Sequence, residues 1–236
     1  LKDFRLQDPF ITKINSELLF GGVEIIKDSK SEEIINWKTN FYRGDSINDL
    51  EFFAEGPAGM KDIRLIELPN GKIGVFTRPQ GEIGGRGKIG FCSLNSLDEL
   101  NAENIQKADL LNDQFLDLEW GGVNEVHLLE NNLLGVLGHI AAFDQNDKRH
   151  YYPMCFAFDY LKVKASKIKI IAQRRDLPEG PAKRKDLEDV LFSGGLIRKD
   201  DGLANLYLGV SDVEAYKLEI QDPFHEYEAD NFSLEK

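Results

Sequence analysis

The chain has 236 residues, of which 42% are hydrophobic and 30% are charged, and its formal net charge is −12 at pH 7. This composition is typical of a globular protein and excludes a disordered or fibrous chain. The acidic balance, without a basic stripe, argues against nucleic acid as a partner, and no apolar run approaches the roughly 20 residues that span a bilayer, so we expect no membrane partner either.

Four stretches of the sequence share one layout, in which an acidic or amide residue precedes a short apolar strand, a turn and a second apolar strand. The turns contain Asn, Asp or Gly, which tolerate positive φ and are typical of hairpins. The predicted hairpins span 8–26, 62–78, 124–140 and 189–212, with turns at 15–16, 69–71, 131–132 and 200–202.

Other elements are predicted between these hairpins. Segments 87–93 and 149–158 are apolar and are predicted to form outer strands. Ser96 and Glu99 match a capping box, and helical spacing continues to Leu111, which predicts one short helix inserted between the second and third hairpins.

Acidic residues recur at the heads of these hairpins. From Asp8 to Asp62 is 54 residues, from Asp62 to Glu125 is 63, and from Glu125 to Asp189 is 64. Steps of this size suit the four-stranded blades of a β-propeller. We therefore expect an all-β fold, a single β-propeller domain over 1–236 with four blades visible. The chain begins at the head of a blade, so either the ring has four blades or a further blade lies upstream.

The recurring acids are the catalytic candidates. Innermost strands line the channel of a propeller, so equivalent acids of different blades would meet there, and paired carboxylates are what glycoside chemistry needs. The alternative for each acid, Asp8, Asp62, Glu125 or Asp189, is that it only caps a turn through the local backbone.

The segment 118–127 is rich in groups that could bind a ligand. Side chains of a strand alternate between its two faces, so Glu125 and His127 are predicted to lie on one face. Asn124 directly precedes Glu125 in the sequence. Trp120 suits stacking on a sugar ring or burial in the core. His139 is either a satisfied buried histidine or a channel residue that binds ligand or holds a metal ion through water.

Cationic residues form a second set of candidates. Arg64 and Arg78 lie in otherwise apolar strands, where we expect them to pair with channel carboxylates or with an anionic ligand such as phosphate. Arg149 with His150, and Lys183 with Arg184, are further cationic pairs.

Three other features favour ordinary structural roles. The glycine-rich segment 81–87 lacks the Lys-Ser/Thr of a phosphate loop, so we expect a flexible inter-strand loop with no helix. Ser193 lacks the Gly-x-Ser-x-Gly elbow, so Ser/His/Asp catalysis is not supported. Cys92 and Cys155 are predicted to be free, buried thiols.

Several long motifs carry a resemblance to a known family. They are Gln7–Thr12, Gly56–Leu65, Val75–Gln80, Glu119–Glu125, Leu137–Ala141, Arg149–Pro153 and Phe192–Leu196. The chain resembles the uncharacterised family catalogued as domain of unknown function 1861 over nearly its whole length. The resemblance implies a five-bladed β-propeller related to glycosidases, with another blade and its own acidic residue upstream of this chain.

More distant likenesses suggest roles for the acids. The segment Asp-Pro-Phe-Ile-Thr at 8–12 is similar to the Asp-Pro-Arg-Ile-Thr strand of the mannoside phosphorylases, whose Asp is the proton donor, which implies that role for Asp8. The segment ending at Asp212 is similar to their Tyr-Gly-Ala-Ala-Asp. In the arabinanase and xylosidase group a base, a tuning Asp and an acid Glu come from separate blades, which would suit Asp62 and Glu125.

The leading hypothesis is a glycoside hydrolase or phosphorylase that acts through its carboxylates on a small carbohydrate or glycoside. The alternatives are a non-catalytic sugar-binding propeller and a scaffold that binds protein on the propeller face. The sugar, the linkage and the oligomeric state stay open. We expect no cofactor, with a channel metal ion or a bound phosphate as the alternative, and a cytoplasmic location, since no signal peptide opens the chain. The substrate-binding candidates are Arg64, Arg78, Trp120, Asn124, His127, His139, Arg149, His150, Tyr151, Arg184 and Asp212.

Overall fold

A computed structural model describes residues 3–229 and 232–234. The described chain is all-β, as predicted, and consists mostly of strands with two short α-helices. It divides into two compact units, Leu1–Leu110 and Leu111–Lys236.

The first unit begins with a four-stranded antiparallel sheet in which each strand pairs with the next along the chain. Side chains of the first strand alternate between exposed and more buried positions, as expected for a strand with one face on the core. The strands are β1 (Gln7–Ile14), β2 (Glu17–Lys27), β3 (Ile34–Gly44) and β4 (Glu51–Glu55).

A second antiparallel sheet of the same order completes the first unit. Its strands are β5 (Arg64–Glu67), β6 (Ile73–Thr77), β7 (Gly90–Leu94) and β8 (Asp109–Leu110). Helix α1 (Gly81–Gly84) lies between β6 and β7, and a 3₁₀ turn (Leu97–Glu99) and helix α2 (Ala102–Gln106) lie between β7 and β8. Apolar residues of both sheets form one core, which includes Leu19, Phe41, Leu65 and Val75.

The second unit is built on an eight-stranded sheet with the path β16-β15-β14-β11-β10-β9. It consists of two antiparallel meanders joined by a parallel pair, in which His150 lies opposite Asp189. The strands are β9 (Trp120–Leu128), β10 (Leu134–Phe143), β11 (Arg149–Asp159), β12 (Lys164–Ala165), β13 (Lys169–Ile170), β14 (Asp189–Arg198), β15 (Leu203–Val210) and β16 (Glu214–Gln221).

The core of the second unit joins the two meanders. Leu137 and Cys155 of the first meander and Leu191 and Leu206 of the second belong to one buried cluster, which Phe224 and Tyr227 extend. Three 3₁₀ turns lie at Arg174–Asp176, Lys185–Leu187 and His225–Glu228.

The four predicted hairpins are confirmed as β1–β2, β5–β6, β9–β10 and β14–β15. Residues Asn15 and Ser16 have φ of 52° and 67°, and Gly71 and Gly202 have φ of 78° and 81°, which is the positive φ that the turn residues predicted. The segments predicted as outer strands form β7 and β11, but each of these strands pairs with a neighbour on both sides. Whether 1–236 is a single domain stays a prediction.

The predicted helix is wrong in its start and its length. Ser96 makes no side-chain cap, and the Glu99 carboxylate accepts hydrogen bonds from the N–H and side-chain amide of Asn95 rather than from the N–H of Ser96. Helix α2 is capped by Asn101, whose Oδ1 accepts from the N–H of Asn104, and it ends at Gln106. The glycine-rich segment also differs from the prediction, since it contains the four-residue α1, in which the N–H of Gly85 donates to Gly81.

Candidate functional site

The first unit holds a buried ion pair at one end of the β5–β6 hairpin. Register pairs Arg64 with Phe76, so the antiparallel ladder puts Asp62 and Arg78 opposite each other just beyond it. Nε of Arg78 lies 3.5 Å from Oδ2 of Asp62, and the two side chains are only 4% and 2% exposed. The predicted pairing of Arg78 with one of the candidate acids is therefore observed.

Arg64 lies beside this ion pair in sequence and is itself buried. Its Nη1 donates a hydrogen bond of 3.0 Å to the carbonyl oxygen of Ile63. Its Cζ lies 4.4 Å from the centre of the Phe10 ring, a distance typical of a cation–π contact. The Arg64 guanidinium thus contacts both the Ile63 carbonyl and the Phe10 ring of β1.

Both candidate acids of the first unit have an uncommon backbone conformation. Asp8 has φ of 48° and Asp62 has φ of 57°, in the left-handed region that non-glycine residues rarely adopt. Asp8 lies in an irregularity of the β1–β2 pairing between Gln7 and Phe10. Such bulges redirect side chains and are enriched next to active sites.

The glycine-rich loop closes over the Arg78 guanidinium. The carbonyl oxygen of Arg86 accepts hydrogen bonds from Nη2 of Arg78 at 3.0 Å and from Nε2 of Gln80 at 2.9 Å. The role of this loop in the structure is therefore to hold a side chain of the candidate site.

The second unit holds a buried polar network across β9, β10 and β14. Oδ1 of Asn124 lies 2.8 Å from Nδ1 of His139 and 3.0 Å from Oγ of Ser193. Oγ of Ser193 also lies 2.9 Å from the carbonyl oxygen of Gly138. Because the amide oxygen only accepts, His139 donates from Nδ1 in this arrangement. A bulge in β9 places Asn124, since the register shifts between Leu137 and Gly138 of the partner strand.

His139 is fully buried and packed between aromatic rings. The ring of Tyr151 stacks on it with centroids 4.7 Å apart and planes 15° apart, and the Phe192 ring lies 5.8 Å away. His139 is therefore a buried residue whose Nδ1 is hydrogen-bonded to Asn124, and whether it also binds a ligand stays a prediction.

Glu125 is anchored to the neighbouring meander by the main chain. Its Oε2 accepts a hydrogen bond of 2.6 Å from the N–H of Leu196 in β14. Its Oε1 lies 3.4 Å from Nε2 of His127, as the shared strand face predicts, and the Glu125 side chain is 37% exposed. Glu125 is thus both positioned and open to solvent.

Asp189 joins β14 to β11. Its Oδ2 lies 2.5 Å from Nδ1 of His150 and accepts a hydrogen bond from the Tyr152 hydroxyl. Burial, and then the hydrogen bond to Asp189, raise the pKa of Tyr152 above its usual range. On its other side, Nε2 of His150 lies 3.7 Å from Asp144.

The remaining predicted residues also belong to the second unit. Arg184 donates to Asp186 from Nε and Nη2, and Nη2 of Arg149 lies 3.8 Å from the same carboxylate. Asp212 lies 3.8 Å from Nζ of Lys183. Trp120 is buried against Phe143, with ring centroids 5.0 Å apart.

The structure thus brings the predicted residues together in separate groups. Asp62 meets Arg78, Asn124 meets His139, Glu125 meets His127 and Asp189 meets His150. The convergence of all four acids on one channel stays a prediction. Sequence reasoning did not foresee the roles of Tyr152, Ser193 and Leu196, and the signal available for the last two was the Ser-Gly-Gly that interrupts an apolar strand.

No group of three or more His, Cys, Asp or Glu side chains within 3–229 and 232–234 is arranged to hold a metal ion. No helix in this part of the chain is long and apolar enough to cross a membrane.

Comparison with known proteins found one matching family and several similar structures. The family is described as a protein of unknown function (DUF1861), and its model matches residues 1–226. No curated protein matches the chain.

Two of the similar structures come from Leishmania mexicana. MPT-4, a mannose phosphorylase solved in complex with phosphate ion, is 39% identical, with a TM-score of 0.86 over 94% of this chain and 69% of its own. MPT-1, a GDP-Man-dependent mannosyltransferase, is 35% identical, with a TM-score of 0.86 over 96% of this chain and 71% of its own.

A thermostable family-43 glycoside hydrolase is similar in fold alone. It is 10% identical, with a TM-score of 0.62 over 92% of this chain and 69% of its own.

Proposed function

The chain belongs to the DUF1861 family, and from this premise we propose that it is an enzyme that acts on a small carbohydrate or glycoside through its carboxylates. The observation that carries the proposal is the 39% identity, over 94% of this chain, with a mannose phosphorylase. Phosphorolysis of a mannoside is therefore the reaction that we favour.

The chemistry requires a proton donor and a nucleophile. In phosphorolysis the bond between the anomeric carbon and the glycosidic oxygen breaks, and a carboxylic acid gives its proton to the leaving oxygen. A phosphate oxygen forms the new bond to the anomeric carbon, which yields a sugar 1-phosphate, and a proton of the phosphate restores the acid. We assign the proton donor to Asp8, the role that the likeness of 8–12 to the Asp-Pro-Arg-Ile-Thr strand of the mannoside phosphorylases implies. The irregular pairing of β1 around Asp8 is compatible with this role, because bulges are enriched next to active sites.

Asp62 suits a charged role. Its contact with the Arg78 guanidinium stabilises a carboxylate, which fits a group that orients the substrate or balances charge in the transition state. Arg64 and Arg78 are the guanidinium groups that we propose for contact with phosphate, because buried arginines bind its oxygens in fixed geometry.

The two candidate acids of the second unit, Glu125 and Asp189, suit different roles. Glu125 is exposed enough to meet a ligand. Asp189 already accepts hydrogen bonds from two neighbouring side chains, which favours a structural role for it. The five-bladed propeller remains part of this proposal, supported by antiparallel meanders in both units and by the fold of the family-43 hydrolase.

The experiment measures products from mannobiose with and without inorganic phosphate. We expect mannose 1-phosphate to form only with phosphate. The Asp8→Asn variant should lose at least about 10²-fold in kcat/KM, the typical contribution of a general acid, and Asp62→Asn should lose about 10²-fold or more, the typical cost of removing an electrostatic contact in the transition state. Asp147→Asn is the matched control, because Asp147 is an exposed aspartate with φ of 57° in a turn, like Asp62 in backbone but not in burial.

The other outcomes identify the alternatives. Free mannose released at the same rate without phosphate would indicate a hydrolase. Calorimetric sugar binding without turnover would indicate a non-catalytic binding protein. Equal activity of Asp8→Asn and the parent would remove Asp8 from the mechanism.

A further inference from the structure

Gly194 is an exposed residue in the interior of β14, the first strand of the second meander. It is the bulged residue, since Ser193 pairs with Leu208 and Gly195 pairs with Tyr207, so that Gly194 has no opposite partner on β15. Glycine inside a strand weakens the strand, and it commonly marks a bulge or a place where another molecule approaches the backbone closely.

Neither the backbone nor the packing of the chain requires glycine at this position. Gly194 is absent from the residues with positive φ, whereas its neighbour Gly195 has φ of 157°. Among residues 3–229 and 232–234, a Cβ placed on Gly194 would meet only the Tyr207 carbonyl, with the oxygen at 3.4 Å and the carbon at 3.9 Å. These are ordinary contacts, so an alanine would fit this site.

The two residues that follow Gly194 lie against the carboxylate of Glu125. The N–H of Leu196 holds Oε2 of Glu125 at 2.6 Å, and a Cβ on Gly195 would lie 3.2 Å from the same oxygen. The Glu125 side chain nevertheless keeps 37% of its surface exposed, and Oε1 faces Nε2 of His127 at 3.4 Å. A fixed, accessible carboxylate therefore lies beside an open stretch of backbone.

We propose that Gly194 and Glu125 form a subsite for a sugar ring, in which the ring lies against the Gly194 backbone and Glu125 accepts hydrogen bonds from its hydroxyls. The inference rests on the proposed function, since it takes its ligand class, a carbohydrate, from there and adds a contact surface on the second unit. A sugar hydroxyl is a neutral donor that suits an anchored carboxylate, whereas an anion such as free phosphate is repelled by it. Gly194 is a specificity-determining residue on this assignment, because any side chain there would occupy the space of the ring.

The test is calorimetric binding of mannose, mannobiose and inorganic phosphate to the parent and to a graded series at position 194. We expect Gly194→Ala to weaken mannobiose binding several-fold and Gly194→Val to weaken it at least tenfold. Phosphate binding and the melting temperature of Gly194→Ala should stay as in the parent, because an alanine meets only ordinary contacts. Glu125→Gln, which keeps an acceptor for the Leu196 N–H, should also weaken sugar binding.

Gly209→Ala is the matched control. Gly209 lies in β15 with φ outside the positive region, and of the residues that the structure describes a Cβ there would meet only Phe192, whose Cβ is 3.8 Å away. This variant should bind sugar like the parent.

The binding measurements distinguish failure of the subsite from failure of the proposed function. If Gly194→Val binds mannobiose as tightly as the parent, the subsite is wrong while the proposed function stands. If the parent neither binds nor converts any of these sugars, the proposed function fails and the subsite fails with it. If Gly194→Ala and Gly209→Ala lower sugar and phosphate binding equally, the effect is general and the subsite is again wrong.

Discussion

The α-carbon of Gly87 lies against the guanidinium of Arg78. A Cβ built on Gly87 would lie 2.5 Å from Cζ and from Nη2 of Arg78, and the residue has φ of 145°. Both facts disfavour a larger residue there, because its Cβ would have to displace the guanidinium that lies beside Asp62.

The first prediction concerns this contact. Gly87→Ala should push the Arg78 guanidinium away from Asp62. It should lower the free energy of unfolding by about 1–3 kcal/mol for the strained backbone, a cost that Gly85→Ala shares, and by a further amount for the disturbed ion pair. Activity on mannobiose should fall with it. Gly85→Ala is the control, because Gly85 has φ of 58° but open space around its Cβ. Urea unfolding of both variants provides the measurement, and equal losses would show that Arg78 does not feel the added methyl group.

The second prediction concerns the hydroxyl of Tyr152. Tyr152→Phe removes a hydrogen bond to the Asp189 carboxylate, and for this half-buried group we expect a loss of about 1.5 kcal/mol at pH 7. The pKa of Tyr152 is raised from 10.0 by burial and by Asp189, so its contribution is complete below pH 10 and is lost as the pH rises further.

Urea unfolding between pH 7 and 11 tests this pH dependence. The variant should lose less stability than the parent over the alkaline range. Tyr207→Phe serves as the control, since Tyr207 is 39% exposed. Parallel pH curves for the parent and Tyr152→Phe would contradict the prediction.

The third prediction concerns acid stability. Glu228 accepts hydrogen bonds from Nη1 and Nη2 of Arg198 at 3.1 and 2.5 Å, and this contact lowers the pKa of the Glu228 carboxyl below its usual 4.5. The stabilisation is therefore present above pH 4.5 and is lost as the pH falls below it.

We expect Glu228→Gln to lower the free energy of unfolding by about 1–3 kcal/mol at pH 7, and to reduce the fall in stability between pH 5 and 3. Glu226→Gln is the control in the same turn, because its pair with Lys169 is half exposed on both sides. Thermal unfolding across this pH range measures both, and an unchanged acid limb in Glu228→Gln would exclude the carboxylate as its source.

The fourth prediction concerns the two free thiols. Burial raises the pKa of Cys92 to about 11, with a smaller contribution from Asp109, and burial likewise raises the pKa of Cys155 to about 11. At pH 8 only about one thiol in 10³ is then ionised, and the thiolate is the reactive form. Iodoacetamide should leave both cysteines unmodified in the folded protein and alkylate both in guanidinium chloride, as mass spectrometry would show. Rapid alkylation of the folded protein would be inconsistent with these pKa values.

The sequence determined the local structure of this protein. The hairpins and their turns follow from apolar runs and from Asn, Asp and Gly residues that tolerate positive φ, and these are properties of neighbouring residues. The capping box predicted at Ser96 did not form, and the Glu99 carboxylate accepts its hydrogen bonds from Asn95. A helix of so few residues has little stability of its own, so other local hydrogen bonds can replace it.

Only the tertiary structure decided which candidate groups meet. His150 and Asp189 are 39 residues apart and Glu125 and Leu196 are 71 apart, and both contacts depend on how one meander lies beside the next within the second unit. Bulges at Asp8, Asn124 and Gly194 shift the register by one residue, which changes the face on which a side chain emerges. The alternation of apolar and polar residues along one strand cannot predict this register shift, because the shift arises from hydrogen bonding between strands.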